Sequence, residues 1–339
     1  MKTNDTILLG HGSGGRLTNE LIQNLFVRYF NNETLSGMTD SALLEIGHGA
    51  IAFTTDSFVV DPLVFPGGDI GKLAIAGTVN DLAVSGAEPL YLTAAFIIEE
   101  GFSMKLLEQI VASMADEAAK AGVQIVSGDT KVVERGKADK LFINTSGVGR
   151  QRNGAGVMAS GSSIKAGDVI LINGCIGDHG MAVMSARNQL NVQAGIVSDC
   201  ACLNSLIREV WEGSGGIRFM RDATRGGLGA VVSELVAKKT WGIELDEEKI
   251  PVRQEVRGMC ELLGFDPVYV ANEGKVVMVV DQQHADQALA VMRSHPLGAQ
   301  AEIIGTITAS HPGRVWMKTT VGGKRIVDLP AGEQLPRIC

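Results

Sequence analysis

The chain has 339 residues, 45% of them hydrophobic and 20% charged, and a formal net charge of −8. That length predicts two domains, and that balance excludes a disordered chain. The acidic surplus argues against nucleic acid or an anionic membrane as partner, and no charge-free run is long enough to span a bilayer.

The opening stretch, "MKTNDTILLGHGSGG", has neither the apolar run nor the cleavage site of a secretory leader, which predicts a cytoplasmic protein. The odd set of cysteines (Cys175, Cys200, Cys202, Cys260 and Cys339) agrees, since it suggests reduced thiols. "HGSGGR" (11–16) has the composition of a backbone nest for phosphate but lacks the Lys-Ser/Thr of a P-loop. His11 within it reads as a ligand, an acid/base group or an incidental loop histidine.

Four strand-like runs follow, at 50–60, 90–98, 123–133 and 140–149, rich in β-branched residues and bounded by turn formers. Helical patterns at 69–86 and 103–122 lie between them, the second with Ser103 to cap it and Gly122 to end it. The Gly- and Ser-rich stretch 151–167 predicts a linker between an N-terminal domain, 1–150, and a C-terminal domain, 168–329. In the second domain helices are expected at 179–189, 202–212, 226–239, 252–263 and 283–294. Strands are expected there at 168–173, 217–220, 275–281, 301–308 and 313–318. Cys200 and Cys202 have C-x-C spacing with no second ligand pair, so they read as packing residues at a helix start, and Cys175 and Cys260 as small core hydrophobes. Asp178 and His179 in "GDHG" read as the start of a helix. Residues 330–339, with Pro330, Gly332 and Pro336, predict a mobile arm that reaches roughly 30 Å when extended. Its last residue is Cys339.

The chemistry is expected from acidic residues set inside apolar elements. Strand periodicity puts Asp56 on one face with Thr54, and Asp129 on one face with Lys131. Asn80 and Asp81 fall mid-helix among small apolar neighbours, where an unpaired carboxylate costs several kcal/mol. "RDATRGGLG" places Asp222, Thr224 and Arg225 just before a helix start, a natural anion site. Asp40 precedes the first strand, and Glu273 sits at a turn leading into another. Carboxylates, a lysine and a helix N-terminus together suit magnesium-dependent phosphoryl transfer. Taken singly, Asp222 reads equally as an N-cap, Asp129 and Lys131 as a surface ion pair, and Asp40 as a turn residue.

In order, "TDSALL", "FTTDSF", "NDLAVSGAEP", "SGDTKVV", "RDATRGGL" and "NEGKVV" resemble the ATP-dependent superfamily that includes aminoimidazole ribonucleotide synthetase and selenophosphate synthetase. "HGSGG", "GDHG" and the final "PRIC" extend the resemblance, over essentially the whole chain, to its HypE branch of hydrogenase maturation factors. The resemblance implies a two-domain α+β fold of the aminoimidazole ribonucleotide synthetase type. The N-terminal domain would contribute half of a β-barrel shared across a homodimer. ATP and Mg²⁺ would be cofactors, with nucleotide contacts from Gly12, Gly14, Asp56, Asn80, Asp81, Asp129 and Thr224, and metal contacts from Asp40, Asp56, Asp81 and Asp222. The implied reaction loads a carbamoyl group onto the Cys339 thiol from the carbamoyltransferase HypF. ATP-dependent dehydration then gives a thiocyanate, and its cyanide passes to the iron of [NiFe]-hydrogenase through the scaffold HypC–HypD. Cys339, Glu273 and Lys131 would be the catalytic set, with Glu273 or Lys131 as the base. Two other readings stay open: a selenophosphate synthetase-like enzyme of the same superfamily, and a non-catalytic scaffold with a C-terminal docking peptide.

Overall fold

The computed structural model describes residues 6–8, 11, 16–36, 49–155, 161–187, 195–329, 335 and 337–339. Asp40, Gly12 and Gly14 lie outside these residues.

The chain enters through a helical segment that the periodicity reading did not anticipate: α1 (Arg16–Leu21), a π-helical stretch (Ile22–Val27), α2 (Arg28–Phe30) and α3 (Glu33–Ser36). Then come β1 (Ile51–Phe58), the short β2 (Val64–Phe65) and β3 (Gly68–Asp69), α4 (Ile70–Val84), β4 (Ala87–Glu99), α5 (Met104–Ala121), β5 (Gln124–Val133) and β6 (Leu141–Gln151). Each strand and long helix expected in this half is present. Asp69 caps α4 by accepting from the backbone of Gly71 and Lys72, Ser103 caps α5, and Gly122 ends α5 at φ 72°.

Four of these strands form one sheet in the order β1-β6-β4-β5. Only β4 and β5 run parallel, joined by the α5 crossover. One face is covered by α4, whose Thr78 meets Thr145 of β6 and whose Ala74 carbonyl accepts from the Thr145 hydroxyl. The other face is open: along β1 exposure alternates, leaving Phe53 68% and Ile51 54% exposed, with Ile97 of β4 45% exposed.

The second half contains β7 (Val169–Ile172), α6 (Asp178–Arg187), α7 (Asn204–Gly213), β8 (Ile217–Asp222), α8 (Gly227–Val236), β9 (Gly242–Asp246), α9 (Gln254–Leu263), β10 (Val276–Val280), α10 (Ala285–Ser294), β11 (Glu302–Thr308), β12 (Val315–Lys318) and β13 (Lys324–Val327). Its sheet runs β13-β12-β9-β11-β7-β10-β8, antiparallel except for β12 beside β9. The central β7 and β10 are buried at every position, which explains their unbroken apolar sequences. β9 and β13 were not anticipated: "GIELD" and "KRIV" are short and charged, and pairing makes them strands, β9 between the distant β11 and β12 and β13 in a hairpin with β12.

The described part of the arm is docked. Leu335 and Ile338 are buried in the core that also holds Met181, Val270 and Ala271. The Val59 amide donates to the Cys339 carbonyl and the Asp61 amide to that of Arg337. The Arg337 side chain donates to the Val59 carbonyl and pairs with Asp139.

Candidate active site

Three segments far apart in sequence converge beside α4, which packs on both β1 and β8. The first is β1. Asp56 is paired with Thr145 on the α4 side of the sheet, and Thr54, two residues earlier, donates its hydroxyl to Asp81 Oδ2 of α4 at 2.9 Å. The same-face reading of Thr54 and Asp56 therefore holds, and Thr54 supplies the partner that Asp81 lacks on its own helix. Gly77, one turn earlier in α4, keeps this approach open: a Cβ there would fall 2.9 Å from the Phe58 ring.

The second is the turn from β8 into α8. Asp222 ends β8, and the helix is entered through Gly226 at φ 74° with no side-chain cap. Asp222 is thus not an N-cap. Gly227, at φ 59°, would put a Cβ 2.5 Å from the Val270 carbonyl, so only glycine lets this turn lie against 268–270.

The third is the turn carrying Glu273. Asp199 accepts from the amides of Glu273 (3.2 Å) and Gly274 (3.1 Å) and pairs with Lys275 at 3.0 Å. Asn80 is buried here, and its amide is committed to backbone. It donates to the carbonyls of Ala201 and Glu273 and accepts from Leu203 N–H at 2.7 Å. Instead of facing a ligand, Asn80 ties α4 to the Glu273 turn. Glu273 Oε1 is buried with no partner among the described residues.

A cavity of about 270 Å³ joins these segments, lined by Thr55, Asp56, Gly77, Asp81, Arg221, Asp222, Thr224, Arg225, Glu273 and Cys339 among others. Burial raises the carboxyls of Asp56 and Asp81 above their ordinary range, and the Asp56 charge raises Asp81 further while the Thr54 hydroxyl opposes the shift. Burial and then the Asp81 charge push Asp222 up to about 7. Glu273 is raised well above the carboxylate range by burial, then by Asp222 and Asp199. The Cys339 thiol is raised too, by burial first and by Glu273 next, against the pull of Arg225. The cavity is therefore short of positive charge.

Among the described residues no three His, Cys, Asp or Glu side chains converge as a ready metal-ligand set. Magnesium usually takes one or two carboxylates plus substrate phosphates, so Asp56, Asp81 and Asp222 fit an ion that arrives with a nucleotide.

Asp129 and Lys131 do not join this cavity. Asp129 pairs with Ala95, which faces Asn144 and, through it, Ser57, so both side chains belong to the open face, opposite Asp56. Their strand is also at the other edge of the sheet from β1. Within one chain they form an exposed ion pair at 3.1 Å and line a separate cavity of about 200 Å³. The four cysteines other than Cys339 are free and buried, as their packing role predicts. His11 is buried and accepts from the Leu8 amide through Nδ1.

Residues 38–151 match the AIR synthase related protein N-terminal domain, and residues 165–318 match the corresponding C-terminal domain. The carbamoyl dehydratase HypE of Rhodobacter capsulatus is 50% identical over 338 residues, covering 99% of this chain and 98% of that protein. The chain belongs to the HypE family. A crystal structure of the hydrogenase maturation protein HypE in complex with ATP superposes with a TM-score of 0.94 at 46% identity, covering 98% of this chain and all of the other. HypE in a HypE–HypF complex superposes with a TM-score of 0.79 at 52% identity, covering 91% and 99%. Sequence reading missed Asn80's structural task, the Asp199 clamp and the place of Arg221 in the cavity wall. The first depends on contacts between the two matched domains and the second on residues about 75 positions apart within the C-terminal one, so neither left a local signal.

Proposed function

We propose that this chain is an ATP-dependent carbamoyl dehydratase that converts a carbamoyl group on the Cys339 thiol into a thiocyanate for the cyanide ligands of [NiFe]-hydrogenase iron. The observation that carries this reading is the presence of Cys339 in the same cavity as Asp56, Asp81, Asp222, Arg225 and Glu273. Overall, R–S–C(=O)NH₂ and ATP give R–S–C≡N, ADP, phosphate and a proton. Oxygen leaves poorly from an amide carbon, so the carbonyl oxygen first takes the γ-phosphoryl group and then departs as phosphate while nitrogen gives up its protons.

Thr224 and Arg225, at the mouth of α8, suit the transferred phosphate. Magnesium, when bound with ATP by Asp56, Asp81 and Asp222, would supply charge neutralisation. Glu273 is the base. It lines the cavity together with Cys339, its Oε1 has no partner among the described residues, and magnesium bound there would offset the burial and acidic neighbours that favour its protonated form. The docked thiol is raised and neutral, a poor nucleophile, so loading by HypF takes place with the arm undocked. HypC–HypD would receive the cyanide.

A homodimer is proposed through the open sheet face, where Ile51, Phe53 and Ile97 would be covered in a shared barrel. In one chain Lys131 is out of reach, so orienting the carbamoyl group falls to the lysine of a second protomer. The test is product stoichiometry on protein carbamoylated at Cys339: one thiocyanate per ADP is expected. Turnover of selenide or of a ribonucleotide, with the carbamoyl group left intact, would overturn the reading.

A further inference from the structure

We infer that His179 is a positioning residue for the carrier cysteine: it holds the peptide carbonyl of Ile338 and so fixes where the neighbouring sulfur sits in the cavity. The inference rests on the reading of Cys339 as the carrier.

His179 is fully buried near the start of α6. Its Nε2 lies 2.8 Å from the Ile338 carbonyl oxygen and its Nδ1 2.8 Å from Ser198 Oγ. A carbonyl only accepts, so the neutral ring must carry its proton on Nε2, leaving Nδ1 bare. Ser198 must then donate its hydroxyl proton to Nδ1, and it is fixed for that task because Oγ accepts from the Cys200 amide at 3.1 Å. The order is Cys200 N–H to Ser198 Oγ, Ser198 O–H to His179 Nδ1, and His179 Nε2–H to the Ile338 carbonyl. Burial, which holds the imidazole below its ordinary pKa, favours this neutral form. The Phe65 ring meets the imidazole edge-on at 5.3 Å and fixes its plane.

A core histidine would be satisfied by partners that never leave. Here one partner belongs to the segment that must undock for loading, 159 positions away. When that segment departs, Nε2–H loses its acceptor, which favours redocking. Arg187, at the other end of α6, grips the preceding carbonyl, that of Arg337, at 2.7 Å. Cys339 is thus approached through two consecutive backbone carbonyls, independent of what its sulfur carries.

The test uses the full chain and the variants His179→Phe, His179→Gln and Ser198→Ala. Iodoacetamide labelling of Cys339 is followed site by site by mass spectrometry, alongside the unfolding midpoint and thiocyanate formation from the carbamoylated protein. His179→Phe is expected to raise Cys339 labelling about tenfold and lower thiocyanate formation about as much. His179→Gln, which keeps a donor on its side-chain amide, should restore most of both. Ser198→Ala should raise labelling several-fold, beyond what its lowered midpoint accounts for, and it carries the test if His179→Phe does not fold. Wild-type labelling in both His179→Phe and Ser198→Ala, or a rise that merely tracks a lowered midpoint in every variant, overturns the inference. Labelling needs no carbamoyl chemistry. A raised rate in protein that forms no thiocyanate would leave the positioning intact and overturn the functional reading alone.

Discussion

The charge deficit in the cavity makes Asp222→Asn a stabilising mutation, with a size set by pH. Burial and the Asp81 charge push the Asp222 carboxyl up to about 7, from 3.8 for an ordinary aspartate. A raised carboxyl pKa means the folded state holds the proton more tightly. Its contribution to stability is therefore fully present below about pH 3.8 and is lost as pH rises through about 7. Three pH units correspond to about 4 kcal/mol as an upper limit, and water reaching the partly open side chain reduces this to about 2 kcal/mol. Asparagine has no proton to lose. Without nucleotide and in EDTA, the substituted protein should match wild type near pH 4 and melt roughly 4–8 °C higher near pH 8. Scanning fluorimetry at several pH values measures this difference, and thiocyanate formation should fall in the same variant. A midpoint difference that is flat across this range, or that favours wild type at high pH, would refute the electrostatic picture of the cavity.

Glu273→Gln should retain ATP binding by calorimetry and lose about 10²- to 10⁴-fold in thiocyanate formation, the range for removing a general base. Asn80→Ala leaves the Leu203 amide and the Glu273 carbonyl without their partner, and should cost about 2–4 kcal/mol in denaturant unfolding. Phe53→Glu puts charge on the open sheet face and should shift the protein from dimer to monomer in sedimentation. Mixing inactive Lys131→Ala with inactive Glu273→Gln should restore part of the activity, because mixed dimers would hold one intact cavity; absence of recovery would refute the assignment of Lys131 to the cavity of the second protomer.

What sequence reading could find was local. Thr54 and Asp56 lie two apart on one strand, and Asp81 was conspicuous because its helix is apolar; both clues are carried by a few adjacent residues. Glu273 and Asp222 were found by motif, and the fold joined them. The limits were non-local in the same measure. Asp129 and Lys131 have the right spacing for one face, but strand order β1-β6-β4-β5 and alternation put that face on the far side of the sheet from Asp56. Nothing within "SGDTKVV" encodes that. Asn80 sits beside Asp81 yet turns to a backbone over a hundred residues away. His179 reads as a helix start until the docked segment supplies its second partner. The N-terminal helices escaped for another reason: their π-helical stretch breaks the period that the eye seeks.

The central claim is that Cys339 carries the carbon that becomes cyanide. Mass spectrometry of the peptide containing Cys339, after incubation with HypF, carbamoyl phosphate and ATP, tests it most directly. A carbamoyl adduct should appear on that sulfur and be replaced by a species lighter by one water, only when ATP is present. An unmodified Cys339 in a mixture that delivers cyanide to the hydrogenase iron would contradict it.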